Sequence, residues 1–66
     1  MMNREMMEEI FEEVCIENDM AWYEVFDGEL MSEVNARICS VAGWTRDELE
    51  ENIEWCDWMG DMAMDL

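Results

Sequence analysis

Along most of this 66-residue chain, apolar residues recur at spacings of three and four, and proline is absent. This period places the apolar residues on one face of an α-helix, whereas a half-buried strand would alternate apolar and polar residues. Proline would interrupt a helix, so its absence leaves each helical pattern free to continue. The sequence therefore predicts an all-α fold, and its length predicts a single domain, residues 1–66, with a small core.

The first predicted helical segment spans residues 3–17 and begins at Asn3, a favoured N-cap residue. Its glutamates lie opposite an apolar stripe, so the segment is amphipathic. The expected buried stripe is Met7, Ile10, Phe11 and Val14.

The second predicted segment spans residues 19–42, with Asn18 or Asp19 as its cap, and ends at Gly43, since glycine commonly terminates helices. Its expected apolar stripe is Trp22, Phe26, Leu30, Val34, Ile38 and Val41. A break at 27–28, Asp-Gly, leaves two interpretations open. The segment is one long helix that tolerates a glycine at about 1 kcal/mol relative to alanine, or a tight turn separates a short strand or helix from a helix over residues 29–42. We favour helix on both sides of the break.

The third predicted segment spans residues 45–59 and starts with a capping box, Thr45 and Glu48. Its expected buried stripe is Leu49, Ile53 and Cys56. Gly60 is the expected stop, and the six residues after it are expected to fray. Three amphipathic segments predict a small three-helix bundle, completed in one alternative by formation of a homodimer.

The charge of the chain limits its partners. It has 19 Asp and Glu against three Arg, without Lys or His, and a formal charge of −16. Such a chain repels nucleic acid and anionic membranes, whereas a cationic partner would relieve its self-repulsion. Soluble helices usually mix Lys with Glu because opposite charges at i and i+4 are stabilising. The absence of that mixture suggests selection for negative potential; the alternative is an acid-adapted or halophilic proteome, which would produce the same bias.

The residue set gives little support to catalysis. No histidine is present as a general base or as the partner of a cysteine, and no glycine-rich phosphate loop occurs. Cys15, Cys39 and Cys56 are odd in number, lack CxxC spacing and follow no signal-peptide pattern, which favours a reduced, cytoplasmic setting. Without histidine, a zinc site would need further thiolates. We expect no enzyme activity, no cofactor and no dedicated metal site.

Two ridges of carboxylates are expected, one on the first segment and one on the third. Carboxylates one helical turn apart repeat at about 5.4 Å, and phosphates advance about 3.4 Å per strand along DNA. Two staggered ridges therefore approximate a duplex backbone and would fill a basic groove. The expected partner-binding residues are Glu5, Glu8, Glu9, Glu12, Glu13, Asp47, Glu50, Glu51, Glu54, Trp55, Asp57 and Trp58.

Two of these residues are tryptophans set among acids. On a continuous helix Trp58 falls close to the middle of the carboxylate sector, and we expect it to be an exposed aromatic anchor, since tryptophan is enriched in interface hot spots. Trp55 falls at the edge of the sector, where packing on another helix is an equal alternative.

In size, charge and carboxylate-plus-aromatic faces, the chain resembles the small acidic DNA-mimic inhibitors that bacteriophages use against host nucleases, the anti-CRISPR and anti-restriction proteins. The resemblance is one of overall character. It implies an inhibitor in the host cytoplasm that occupies the basic nucleic-acid-binding surface of a defence nuclease, such as a CRISPR effector, or of another nucleic-acid-binding protein. The alternative is an acidic helical adaptor that binds a basic amphipathic helix through its methionine, tryptophan and leucine side chains. A third alternative is an obligate dimer with its tryptophans buried between subunits.

Overall fold

The computed structural model describes residues 1–66 and contains five helices and no strand. The all-α prediction is confirmed, but the helices number five rather than three, because the second and third predicted segments are each divided. The helices are α1 (Arg4–Glu17), α2 (Trp22–Phe26), α3 (Leu30–Ala42), α4 (Arg46–Glu51) and α5 (Ile53–Asp65).

Helix α1 agrees with the sequence prediction. Asn3 caps it, with its side-chain Oδ1 accepting a hydrogen bond from the Met6 N–H at 2.9 Å. Three of the four stripe residues are buried and Ile10 is half-buried. Asn18 does not begin the second helix as expected but ends α1, where its side-chain amide donates to the Val14 carbonyl at 2.8 Å.

The break at 27–28 is confirmed, with helix on both sides. Gly28 is needed there because a Cβ at this position would lie 2.7 Å from the carbonyl oxygen of Glu24. The short helix α2 starts only at Trp22 and is held in the core by Val25, which the expected stripe omitted. Trp22 itself is exposed, as is Val41 near the end of α3. Those two members of the expected stripe were predicted wrongly.

Two helix boundaries follow the predicted capping chemistry. Gly43 ends α3 in the left-handed conformation (φ 73°), and the next N–H, of Trp44, donates to the Cys39 carbonyl at 2.9 Å. The capping box that opens α4 is formed: the Glu48 N–H donates to Thr45 Oγ1 at 3.2 Å, and the Thr45 N–H to the Glu48 carboxylate at 2.9 Å.

The predicted third segment is wrong in one respect that changes its buried face. Asn52 has an extended backbone (ψ 123°) and both ends α4 and caps α5, its Oδ1 accepting from the Trp55 N–H at 2.9 Å. An extended residue shifts the phase of the following helix, so a wheel drawn through it no longer applies. Leu49 is buried as expected, but Ile53 is 76% exposed and Cys56 is exposed. Gly60 does not stop α5, and the residues expected to fray are helical through Asp65.

The core lies where α1 meets α3 and α5. Its centre includes an edge-to-face contact between Phe11 of α1 and Trp58 of α5, with ring centroids 5.7 Å apart and planes at 86°. The buried apolar residues are Met2, Met7, Phe11, Val14, Val25, Val34, Ile38, Leu49 and Trp58. None of the five helices has the length and hydrophobicity that crossing a membrane requires.

Candidate partner-binding surface

The acidic side chains cover the outside of the molecule. Of the 19 Asp and Glu, only Glu8 is half-buried and the others are exposed. Every carboxylate proposed from the sequence as a binding residue is therefore at the surface. The three arginines decide which of these carboxylates are already engaged within the protein.

Arg4 brings the acids of α1 and α5 together. Its side chain contacts Glu8 (Nε to Oε1, 3.1 Å) and Asp61 (Nη1 to Oδ2, 2.7 Å). Its backbone N–H, in the first turn of α1, donates to Glu54 Oε2 at 3.0 Å. These contacts, Asp61 first and then Glu8, raise the pKa of the guanidinium above its ordinary value. The acidic faces of α1 and α5 are thus neighbours.

Arg37 makes the corresponding link between α1 and α3. It forms a two-point ion pair with Glu17, with N to O distances of 2.7 and 3.0 Å, and a longer contact of 3.7 Å to Glu33. The hydrogen bonds from Arg37 hold the pKa of Glu17 below its usual value. Glu13 also lies close enough to add to the negative field at Arg37.

The glutamates of α1 therefore fan across its outer face, from Glu8 beside α5 to Glu13 beside α3. At 100° per residue, Glu12, Glu5 and Glu9 lie between these two in that order. On α5, four acids at i, i+3, i+7 and i+11 share a sector of about 80°. They are Glu54, Asp57, Asp61 and Asp65. The name α1–α5 acidic ridge is used below for Glu5, Glu8 and Glu12 together with these four residues.

Asp61 and Asp65 were missed by the sequence reasoning, which ended the helix at Gly60. The signal was present in the spacing of acids from Glu54 onward. This spacing places the acids on one helical face only if the helix continues through Gly60.

On α4 the acidic residues have mixed roles. Arg46 lies 3.8 Å from Glu50, and Glu48 is used in the capping box. Most of the predicted binding carboxylates have no arginine within ion-pair distance. These are Glu5, Glu9, Glu12, Glu13, Asp47, Glu51, Glu54 and Asp57.

The expectation that Trp58 is an exposed anchor is wrong. Only 2% of the residue is exposed, because the phase shift at Asn52 turns it toward Phe11. Trp55 packs on another helix, which is the alternative that the sequence left open for it. It is half-buried, and its indole Nε1 donates to Oδ1 of the buried Asn35 on α3 at 3.2 Å.

The exposed aromatic residues lie elsewhere, on α2. Trp22 is 37% exposed and Tyr23 is 54% exposed. Their rings meet edge to face, with centroids 6.0 Å apart and planes at 81°. No signal in the sequence distinguished Trp22, which fitted the expected apolar stripe, from the residues that are buried.

The surface has two hollows and no cluster of side chains suited to a metal ion. The larger hollow, about 460 Å³, lies between the starts of α1 and α5 and includes Met1, Met2 and Ile53 with Glu51 and Glu54 at its rim. No group of three or more Cys, Asp or Glu side chains converges in a way that could hold a metal ion.

A second hollow, of about 410 Å³, is lined by Cys15, Ile16, Asp19, Met20 and Ala21. Burial, and secondarily the negative charge of Glu12, raise the pKa of Cys15 above its ordinary value. A raised pKa reduces the thiolate fraction that nucleophilic chemistry needs.

Comparison of the chain with protein-family models, with curated proteins and with solved structures gives no match in any of the three.

Proposed function

We propose that the protein is an acidic inhibitor that occupies the basic nucleic-acid-binding surface of another protein by reproducing the charge of a nucleic acid. The nuclease of a host defence system, such as a CRISPR effector, is the proposed class of target. The observation that carries the proposal is the α1–α5 acidic ridge, where carboxylates from two helices meet and only Arg4 offsets their charge.

The charge density supports this proposal. The formal charge of −16 is carried by a molecule whose Cα extents are only 27 × 24 × 19 Å, and duplex DNA is likewise densely negative. The carboxylates are exposed and fixed on helices, so their negative potential is available without rearrangement. Such a surface accelerates association with a basic groove and competes with phosphate for the same cations.

Rigid placement matters as much as charge. Arg4 ties α1 to α5 and Arg37 ties α1 to α3, so two of the three arginines lie at helix junctions, while Arg46 pairs with Glu50 within α4. The positive charges thereby contribute to the fold while leaving Glu5, Glu12 and Asp57 without ion-pair partners.

The second candidate function is an acidic adaptor for a basic amphipathic helix. It is favoured by the hollow between α1 and α5, where the apolar Met1, Met2 and Ile53 lie beside Glu51 and Glu54. Ile53 is largely exposed there, as a groove for an apolar helix face requires. The two candidates differ in whether carboxylates or apolar side chains dominate binding.

The test is affinity capture from a bacterial lysate at low and moderate salt. The wild-type chain is compared with a ridge variant, Glu12→Lys with Asp57→Lys, and with a matched variant outside the predicted binding residues, Glu29→Lys with Ser32→Lys and Ser40→Lys. Both variants change the formal charge by the same amount, at exposed positions that pair with no arginine. They separate the position of the charge from its total.

The inhibitor proposal expects capture of a nucleic-acid-binding protein that is released by added duplex DNA or RNA and is lost more completely with the ridge variant. Capture that persists with the ridge variant and in excess nucleic acid would contradict it. If that capture is instead lost with the Ile53→Ser variant, the adaptor function is supported.

A further inference from the structure

Trp22 and Tyr23 of α2 are exposed, and neither belongs to the buried core. Val25 is completely buried and Phe26 packs against the core, and these two residues hold the helix in place. Trp22 and Tyr23 present much of their rings to solvent on the same short helix. Large aromatic rings left at the surface of a small acidic protein are typical of binding anchors.

The geometry of the pair leaves binding groups free. An edge-to-face contact covers one face of one ring only, so aromatic faces remain open in this pair. No protein group accepts a hydrogen bond from Trp22 Nε1, and none bonds to the Tyr23 hydroxyl, whereas Trp55 Nε1 is bound to Asn35. Among the four tryptophans, Trp22 alone is exposed, since Trp44 and Trp55 are half-buried and Trp58 is buried.

The surroundings of the pair are negative. Asp19 and Asp27 flank α2, and Glu24 lies within it; all three are exposed and none pairs with an arginine. Glu24 accepts a hydrogen bond from the Ala21 N–H at 3.3 Å, which holds its carboxylate at the N-cap of α2, one residue before Trp22. Charge complementarity therefore selects a cationic occupant for this aromatic surface.

We propose that Trp22 and Tyr23 form an anchor that stacks on an arginine side chain of a basic protein partner, with the neighbouring carboxylates pairing with its charge. The planar, weakly hydrated guanidinium stacks on aromatic faces, whereas the lysine ammonium is a compact, strongly hydrated charge. The partner's cationic character rests on the proposed inhibitor function. The preference for arginine over lysine is the additional claim.

The test uses oligo-arginine and oligo-lysine peptides of equal length as defined probes of the partner's side chains. Binding affinity is measured by calorimetry, and the four tryptophan indole N–H signals are followed by NMR. Oligo-arginine is expected to bind roughly three- to fivefold more tightly than oligo-lysine. It is also expected to shift the Trp22 signal while that of the Asn35-bonded Trp55 moves little.

Two matched variants separate stacking from apolar contact. Trp22→Leu with Tyr23→Leu is expected to abolish the preference for arginine, and Trp22→Phe with Tyr23→Phe to retain most of it. Circular dichroism checks that both variants keep the helical fold. The anchor would be overturned if the wild type bound both peptides equally and the leucine variant bound them with the same affinity. The charge-based function would still stand in that case. If neither peptide bound at low salt, the proposed function would fail as well.

Discussion

At the scale of single residues, the burial of Trp58 removes its ring from the acidic surface that a partner could contact. Its ring is buried against Phe11, so it contributes to folding rather than to recognition. On α5, at 100° per residue, Trp58 lies just beyond one edge of the acidic sector and Trp55 lies further round, so both rings turn toward neighbouring helices while the acids stay exposed. An anchor must be sought among the aromatic residues of α2 instead.

Replacing Trp58 with alanine is predicted to lower the free energy of unfolding by about 3–5 kcal/mol, the usual result of truncating a buried aromatic residue. A chain of this size has little more stability than that, so the variant should lose cooperative unfolding. Circular dichroism during urea denaturation measures it. Trp22→Ala is the control and should change stability far less, because Trp22 is partly exposed. A Trp58→Ala protein as stable as wild type would contradict the core assignment.

The ion pair of Glu17 with Arg37 predicts a specific pH dependence. The pKa of Glu17 is lowered in the folded state by the hydrogen bonds from Arg37. The pair therefore stabilises the fold above the unfolded-state pKa of glutamate, about 4.3, and this contribution is lost as the pH falls through the lower folded-state pKa.

A double-mutant cycle with Glu17→Gln and Arg37→Gln isolates that contribution from the change in total charge. Urea denaturation from neutral to strongly acidic pH should give a small coupling free energy near neutrality, because the pair is at the surface. The coupling should vanish at the acid end of the range. A coupling that stayed constant with pH would show that another interaction links the two positions.

At the scale of helices, Asn52 explains where sequence reasoning succeeded and where it failed. The Asn3 cap, the Thr45 capping box and the Gly43 stop are encoded within a few residues, and each could be predicted. Asn52 is a favoured N-cap residue and caps α5, but it follows a helical pattern that could equally have continued, so the sequence alone did not decide between the two. The α1–α5 acidic ridge was therefore predictable in its composition but not in its facing direction.

Asn52→Ala is predicted to lower the free energy of unfolding by about 1 kcal/mol, through loss of the side-chain cap to the Trp55 N–H. Alanine also favours a continuous helix, but the burial of Trp58 in the core opposes that change and should keep α5 in place. Asn52→Ser keeps an oxygen acceptor and is the control. Thermal unfolding monitored by tryptophan fluorescence measures the stability of both variants. Equal stability of the alanine and wild-type proteins would mean that the cap does not define the start of α5.

At the scale of the whole molecule, repulsion between carboxylates opposes folding. The 19 acids outnumber the three arginines, so screening should relieve more repulsion than it removes attraction. Sodium chloride is therefore predicted to raise the melting temperature, with most of the rise below about 1 M, where the Debye length has fallen to about 3 Å.

The variant with Glu12→Lys and Asp57→Lys should respond less to salt, because it carries fewer unbalanced charges. Calorimetric melting temperatures at a series of sodium chloride concentrations compare the two proteins. A melting temperature that fell with salt in the wild type would indicate that the arginine ion pairs outweigh the repulsion.

If this protein occupies a basic nucleic-acid-binding surface, it competes with a nucleic acid for that surface. The competition is measured by titrating the protein into a complex of a captured nucleic-acid-binding protein with fluorescently labelled duplex DNA. Full displacement of the DNA is expected, with the midpoint of the titration rising linearly with the DNA concentration. A ternary complex that holds the protein and the DNA together would rule out the proposed inhibitor function.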